Sequence, residues 1–534
     1  MLEFPAMKMW ERSKLGMLVA LHLLWGLVLW FSISKYGLGI STDSVHLLFG
    51  GINLWAGRGL VSYDGGFLKL WPPLYPVLIG LVHGVFHLEM LAAANVLQGA
   101  AYLGVSVCLA LLSLKIFPQN FGMAIALTVL ADIGAVVLVT FNTAGSDYLQ
   151  LLLIALCVLL TGRYLESGSR GAFVGLAAVG LLATLNRYLG VAVLATGAVC
   201  IILMTAGGVW QRAVRGVVLG ATALPAGIWL AITSRSYALR PAISFSENFN
   251  WFSRSILQWF VEPQEARREV NQGVLWLWIA ILGLAMLLLI LWRRRRAGIT
   301  ARVGGSSSRA FSNSYLVPLL LFGACYVLTL FGSASLTYYN KLGGRFLLPL
   351  YIPLIALPVA VVDQILSRVR ESRSKEIRLV ASVACHAALA GVALLLLEVT
   401  MPLVMESRAE GAAGGENAYN TKAWRENPAV QYWLNHIPPE PYSLLTNQPD
   451  GVAFLAQHPA WASPRKTSGP YGTEEYALDS YAAGLFPRGA EVYLVWIEPN
   501  PCTYCYTVDE LRAIAQVEPL TESDAGGVYR LHPK

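Results

Sequence analysis

The chain has 534 residues, of which 56% are hydrophobic and only 13% charged, against about 25% charged in an average soluble domain. This composition excludes an ordinary soluble enzyme and places the protein among polytopic membrane proteins. The formal net charge of +7 is not a nucleic-acid signal. Its cations sit in short clusters beside apolar runs, as at Arg293-Arg294-Arg295-Arg296, where they set topology.

Apolar runs of about 18 or more residues, the length that crosses a bilayer core, recur through the first three quarters of the chain. The first, 15–33, lacks the small-residue cleavage site of a signal peptide and is expected to stay as a helix. Lys8, Arg12 and Lys14 hold the N-terminus in the cytoplasm, so the loop 34–71 is outside. That loop carries Ser41-Thr42-Asp43-Ser44, where Ser41, Thr42 or Asp43 can each cap a juxtamembrane helix over 45–55. It leads through Lys69-Leu70-Trp71-Pro72-Pro73-Leu74 into the next apolar run.

Three apolar segments follow before Asp147, at 72–90, 92–114 and 121–140, each near crossing length. Both ends of this region read as outside, which requires an even number of crossings. One segment is therefore re-entrant or broken, or two helices are fused in this reading. Arg163 with Arg170, Arg212 with Arg215, 293–302 and 368–378 mark the later cytoplasmic turns. They place Asn186-Arg187-Tyr188, the loop 234–272 and the loop 332–345 outside. The expected fold is a polytopic α-helical membrane domain over residues 1–400, with about 11–13 transmembrane helices.

From 401 to 534 the chain becomes turn-rich and alternates helix and strand patterns, which predicts a small extracytoplasmic α/β domain. Helices are expected at 428–436 and 507–517, the latter capped by Thr507 with Glu510, and strands at 490–497 and 527–531. Cys502-Thr503-Tyr504-Cys505 has no partner pair to complete a zinc site, so a local disulfide or two idle thiols is expected. No GxGxxG fingerprint supports nucleotide binding.

The chemistry-bearing residues are charges at the membrane face, where desolvation is expensive and usually signals pairing or function. Helix capping is the plainer role of Asp43, and that of Asp147 is an N-terminal acid favoured by the helix dipole. Lys69 and Arg345 precede inward-going spans and can simply snorkel. Arg187 lies between apolar runs with little room for a solvated loop, and its planar fork matches phosphate. Arg58 and Asp64 are further loop charges with no argument beyond position. His83, His87 and Glu89 are spaced as metal ligands on one helix face, but nothing nearby completes a site. Two carboxylates and two or three cations at one face suit transfer from a lipid-linked phosphosugar: cations stabilise the departing phosphate and a carboxylate takes the acceptor's proton. A transporter or lipid flippase is the alternative, but it would place its charges at the midplane and show repeated halves.

At these residues the chain resembles the GT-C superfamily of integral-membrane glycosyltransferases, in the branch of protein O-mannosyltransferases and aminoarabinose transferases. The likeness covers roughly residues 10–365. It runs through Asp43, Pro72-Pro73-Leu74, Ser146-Asp147, Asn186-Arg187 and Gly344-Arg345-Phe346-Leu347-Leu348-Pro349. The resemblance implies a polyprenyl-phosphate sugar donor, an inverting reaction at the outer face and a lipid, glycan or protein acceptor. It implies Asp43 as base and Lys69 and Arg345 on the donor phosphate, and the fork of Arg187 is expected to join them there. Asp147 is implied as a second acid that orients the acceptor or a metal ion. No organic cofactor is expected and a divalent metal is left open. One departure is that Ser44, not a second acid, follows Asp43.

Overall fold

The computed structural model describes residues 9–233, 244–260, 313–336, 342–370, 374–412, 418–467, 474–487, 491–498 and 502–534. The cation cluster at 293–302 and most of the 234–272 loop lie outside these residues. Among the described residues, seven helices are long and apolar enough to cross a membrane, and eight if one bent pair is counted as a span. The helices are α1 (Met9–Ile33), α2 (Thr42–Trp55), α3 (Leu74–Phe86), α4 (Met90–Ile116), α5 (Phe121–Asp132), α6 (Ala135–Phe141), α7 (Asp147–Ser167), α8 (Arg170–Asn186), α9 (Val191–Met204), α10 (Val209–Ala221), α11 (Leu224–Thr233), α12 (Phe245–Leu257), α13 (Leu316–Leu336), α14 (Leu348–Arg370) and α15 (Lys375–Glu410).

Between Pro76 and Asp147 one helix, and a bent pair taken as one span, are long and apolar enough to cross a membrane, and the segment 72–90 is not. Its helix α3 has 13 residues, about 20 Å, too short for a bilayer core. It packs backbone to backbone on α2: a Cβ on Gly51 would lie 2.6 Å from the Pro76 carbonyl, and one on Gly80 would lie 2.5 Å from the Gly51 carbonyl. The α3–α4 turn then returns to the loop, since Leu91 stands against Gly37. Residues 34–73 thus lead into a hairpin of two juxtamembrane helices, and α4 makes the first crossing. At its far end, the Lys115 carbonyl accepts from Asn313 Nδ2 at 2.7 Å.

The second crossing is the broken one, with α5 and α6 meeting at a 54° bend. Lys14 near the start of α1 lies 5.3 Å from the Phe121 ring centroid, so α5 begins on the face opposite the loop. Carbonyls released by the break find side-chain donors, as an apolar surrounding demands. Tyr351 Oη donates to Leu130 O at 2.6 Å and Thr400 Oγ1 to Ile133 O at 2.8 Å. Gly134 is required there, because a Cβ would fall 2.5 Å from the Tyr351 hydroxyl. Asp132 at the bend lies 2.7 Å from His22 Nδ1 of α1, both almost fully buried. After α6 the chain reaches the loop again: Gly39 N donates to Asn142 O at 2.6 Å and Ala144 N to Gly39 O at 2.9 Å.

The C-terminal region forms a five-stranded sheet in the order β2-β1-β3-β5-β4, built from β1 (Tyr442–Thr446), β2 (Trp461–Ala462), β3 (Glu491–Ile497), β4 (Ala515–Ser523) and β5 (Gly526–Pro533). β1 runs parallel to β2 and β3, while β5 is antiparallel to β3 and β4. The expected helix at 507–517 is a correction. Thr507 and Glu510 do form a capping box, but the helix is Val508–Leu511 only. The residues beyond pair with β5 as a strand, so tertiary pairing overrides the local helix signal. Cys502 and Cys505 form a disulfide.

Candidate active site at the loop face

Asp43 owes its availability to its neighbours. Ser41, not Asp43, caps α2: its Oγ accepts from Ser44 N at 3.3 Å, and Ser41 N donates to Ser44 Oγ at 3.1 Å. The Asp43 carboxylate, in the first turn, is left to pair with Arg345. Both side chains are partly open, at 34% and 28% exposure. Arg345 sits in a 3-10 turn, Gly344–Leu347, ahead of α14. Gly344 has φ +54°, a left-handed conformation that glycine takes without a Cβ penalty.

Asp147 pairs with Arg187, and this second pair is deeper, at 7% and 18% exposure. Arg187 follows α8 in extended conformation. Its neighbour Asn186 ties the two elements together, donating to Ser146 O at 2.9 Å and to Gln150 Oε1 at 3.0 Å. Asp147 Oδ2 is buried with no hydrogen-bond partner among the described residues. The fully buried Tyr75 of α3 lies within electrostatic reach of it.

One aromatic ring joins the two pairs. The Phe346 centroid lies 5.5 Å from Arg187 Cζ and 5.9 Å from Arg345 Cζ, and its carbonyl accepts from Tyr326 Oη at 2.8 Å. Segments near positions 43, 147, 187 and 345, remote in sequence, therefore meet at one face. Lys69 is on the same face but exposed, and among the described residues no hydrogen bond or ion pair ties it to either arginine–carboxylate pair. Arg58 instead binds Asn53 Oδ1, with Nη2 at 2.7 Å.

Each carboxylate is charge-compensated by a guanidinium, and no cluster of three His, Cys, Asp or Glu side chains exists among the described residues. His83 and His87 do not share a helix face: His87 is the left-handed cap residue of α3, and His83 Nδ1 contacts Leu88 O at 2.6 Å. The arrangement can hold one carboxylate ionised beside an anion bound by forked donors, over an apolar floor.

The C-terminal domain reaches this face, a connection that no local sequence signal announces. Asp450 accepts from Tyr63 Oη at 2.6 Å and lies 3.6 Å from Nε2 of His46, one turn beyond Asp43. His46 contacts Ser62 Oγ at 2.6 Å and stacks between Tyr63 and Trp71, at 5.4 and 4.9 Å. Burial holds its pKa below the ordinary imidazole value, against the opposing pull of Asp450. Tyr419 Oη bonds Thr42 Oγ1 at 3.1 Å.

No protein-family model matches the sequence, and no curated protein matches it. Among solved structures the chain is similar to ArnT from Cupriavidus metallidurans. For the apo form the TM-score is 0.59 at 14% identity, covering 96% of this chain and 97% of that one. For the form bound to undecaprenyl phosphate the TM-score is 0.54 at 14% identity, covering 96% and 98%. At this identity the likeness is one of fold, and it spans both the membrane helices and the C-terminal domain.

Proposed function

From the GT-C fold that this chain has, we propose that it is a membrane glycosyltransferase, moving a sugar from a polyprenyl-phosphate donor to an acceptor hydroxyl at the outer membrane face. The observation that carries the proposal is the meeting of the Asp43–Arg345 and Asp147–Arg187 pairs across Phe346. That ArnT was solved with undecaprenyl phosphate supports the donor class.

In this reading Arg345 and Arg187 share their donors between a carboxylate and the donor phosphate, stabilising the phosphate as it leaves. Asp43, the more open acid, takes the proton of the acceptor hydroxyl as its oxygen attacks the anomeric carbon. Attack opposite the departing phosphate inverts that centre. Asp147 is a positioning residue that fixes Arg187. Lys69, exposed and without an ion pair among the described residues, meets the phosphate as the donor arrives. The N-terminus is cytoplasmic and the C-terminal domain extracytoplasmic.

The test is transfer of radiolabelled sugar from polyprenyl-phosphate donors in proteoliposomes. Asp43→Asn should lower the rate about 100- to 10,000-fold, the range for a general base, while donor lipid still binds. Unchanged transfer would sink the role of Asp43. Transmembrane movement of donor lipid without sugar transfer would instead mark a flippase.

A further inference from the structure

A cavity of about 460 Å³ lies at the seam between the loop and the C-terminal domain. This is within the range of small-molecule sites, about 300–1,000 Å³. From the domain, the edge strand β2 and the residues after it supply Trp461, Ser463 and Arg465 to the lining. Tyr63 and Asp64 line it from the loop, and Tyr476 and Tyr481 form a further wall.

Two features mark a built site. Ser463 is 1% exposed, yet its Oγ has no hydrogen-bond partner among the described residues, and neither has the buried Nε of Arg465. Buried polar groups rarely stay unsatisfied without a reason. Trp461, in contrast, is 48% exposed, so an indole is presented on the cavity wall.

The lining selects a ligand class. Its charges are one acid, Asp64, and one base, Arg465, so it matches no net charge. Four aromatic side chains offer flat apolar surfaces beside unmet hydroxyl and guanidinium donors. An uncharged saccharide has that duality, with a C–H face to lie on a ring and hydroxyls around its rim. A peptide adding to the sheet edge is disfavoured, because β2 is two residues long and supplies almost no ladder.

Tyr63 couples the cavity to the reaction centre, since its ring stacks on His46, one turn beyond Asp43. We propose that this cleft binds an uncharged saccharide and that this saccharide is the glycosyl acceptor; the second part rests on the transferase reading. A hydroxyl of the saccharide forms the new bond to the anomeric carbon and gives its proton to Asp43. The bond from that carbon to the phosphate oxygen breaks, and the polyprenyl phosphate leaves with the electron pair.

The experiment applies the full-length protein in nanodiscs to a printed array of neutral, uronate-bearing and phosphate-bearing di- to tetrasaccharides, with unstructured peptides alongside. Neutral saccharides should be retained. Trp461→Ala and Arg465→Gln should each weaken retention tenfold or more, whereas Lys375→Gln, at the start of α15 and outside the cavity lining, should bind as the unsubstituted protein does. Retention of no neutral saccharide, retention of charged saccharides or peptides alone, or equal retention by both cleft variants would overturn the proposal. Because retention is scored here without donor lipid and transfer is scored elsewhere with it, failure of the cleft and failure of the transferase reading are distinguishable.

Discussion

Removing Arg187 alone should damage the fold more than removing its whole ion pair. The Asp147 carboxylate is 7% exposed and its Oδ2 is already without a partner among the described residues. Arg187→Ala leaves that charge buried and uncompensated, a change that costs about 3–5 kcal/mol. In the double variant Asp147→Asn/Arg187→Met no charge remains, and the methionine refills part of the space. Replacing a buried pair by neutral groups is often near neutral in stability, so the double variant should recover to within about 1–2 kcal/mol of the parent. It should nevertheless transfer no sugar, because the forked donor is gone. The assay is unfolding by SDS titration in mixed micelles, beside transfer in proteoliposomes. An Arg187→Ala variant as stable as the parent, or an active double variant, would refute the reasoning.

Three further outcomes follow from other parts of the molecule. Gly80→Ala sets a Cβ against the Gly51 carbonyl, 2.5 Å away, and should cost about 1–3 kcal/mol in the same unfolding assay, with transfer falling as the α2–α3 hairpin shifts. His46 is held neutral by burial, while the unfolded imidazole titrates near about 6.5. Its contribution to stability is therefore present above that pH and lost as pH falls toward its lower folded value. Thermal melts from pH 7.5 to 5 should show the loss, and His46→Gln should flatten it. Tyr351→Phe removes the donor to Leu130 O at the α5–α6 break and should cost about 1–3 kcal/mol, the range for an unmet buried acceptor.

Much of the membrane fold is legible in the sequence, because run length and apolarity mark the membrane-competent helices directly. The failures are instructive. The segment 72–90 reads as a span because it is apolar, yet Gly51 and Gly80 let α3 dock flat on α2, and apolarity cannot separate burial against a helix from burial in lipid. An irregular segment before Asp147 is expected from the sequence, whereas its identity is not. Tyr351 and Thr400, the residues that make the break at Gly134 tolerable, come from more than 200 positions away. Asp43, Asp147, Arg187 and Arg345 stand out in sequence as charges beside spans. Their pairing does not, since Asp43 finds Arg345 across 302 positions. Phe346 is visible only as part of the Gly-Arg-aromatic run, and nothing local marks Asp450 or Tyr419 as partners of the first loop.

The most direct measurement is the affinity of nanodisc-embedded protein for undecaprenyl phosphate, compared among the parent, Arg345→Lys and Arg187→Lys. Lysine keeps the charge opposite each carboxylate but loses the planar fork that shares donors with a phosphate. A charge-assisted hydrogen bond is worth about 1.5–3 kcal/mol, so each variant should bind about 10- to 150-fold more weakly. Affinities equal to the parent in both variants would contradict the placing of the donor phosphate between the two arginines.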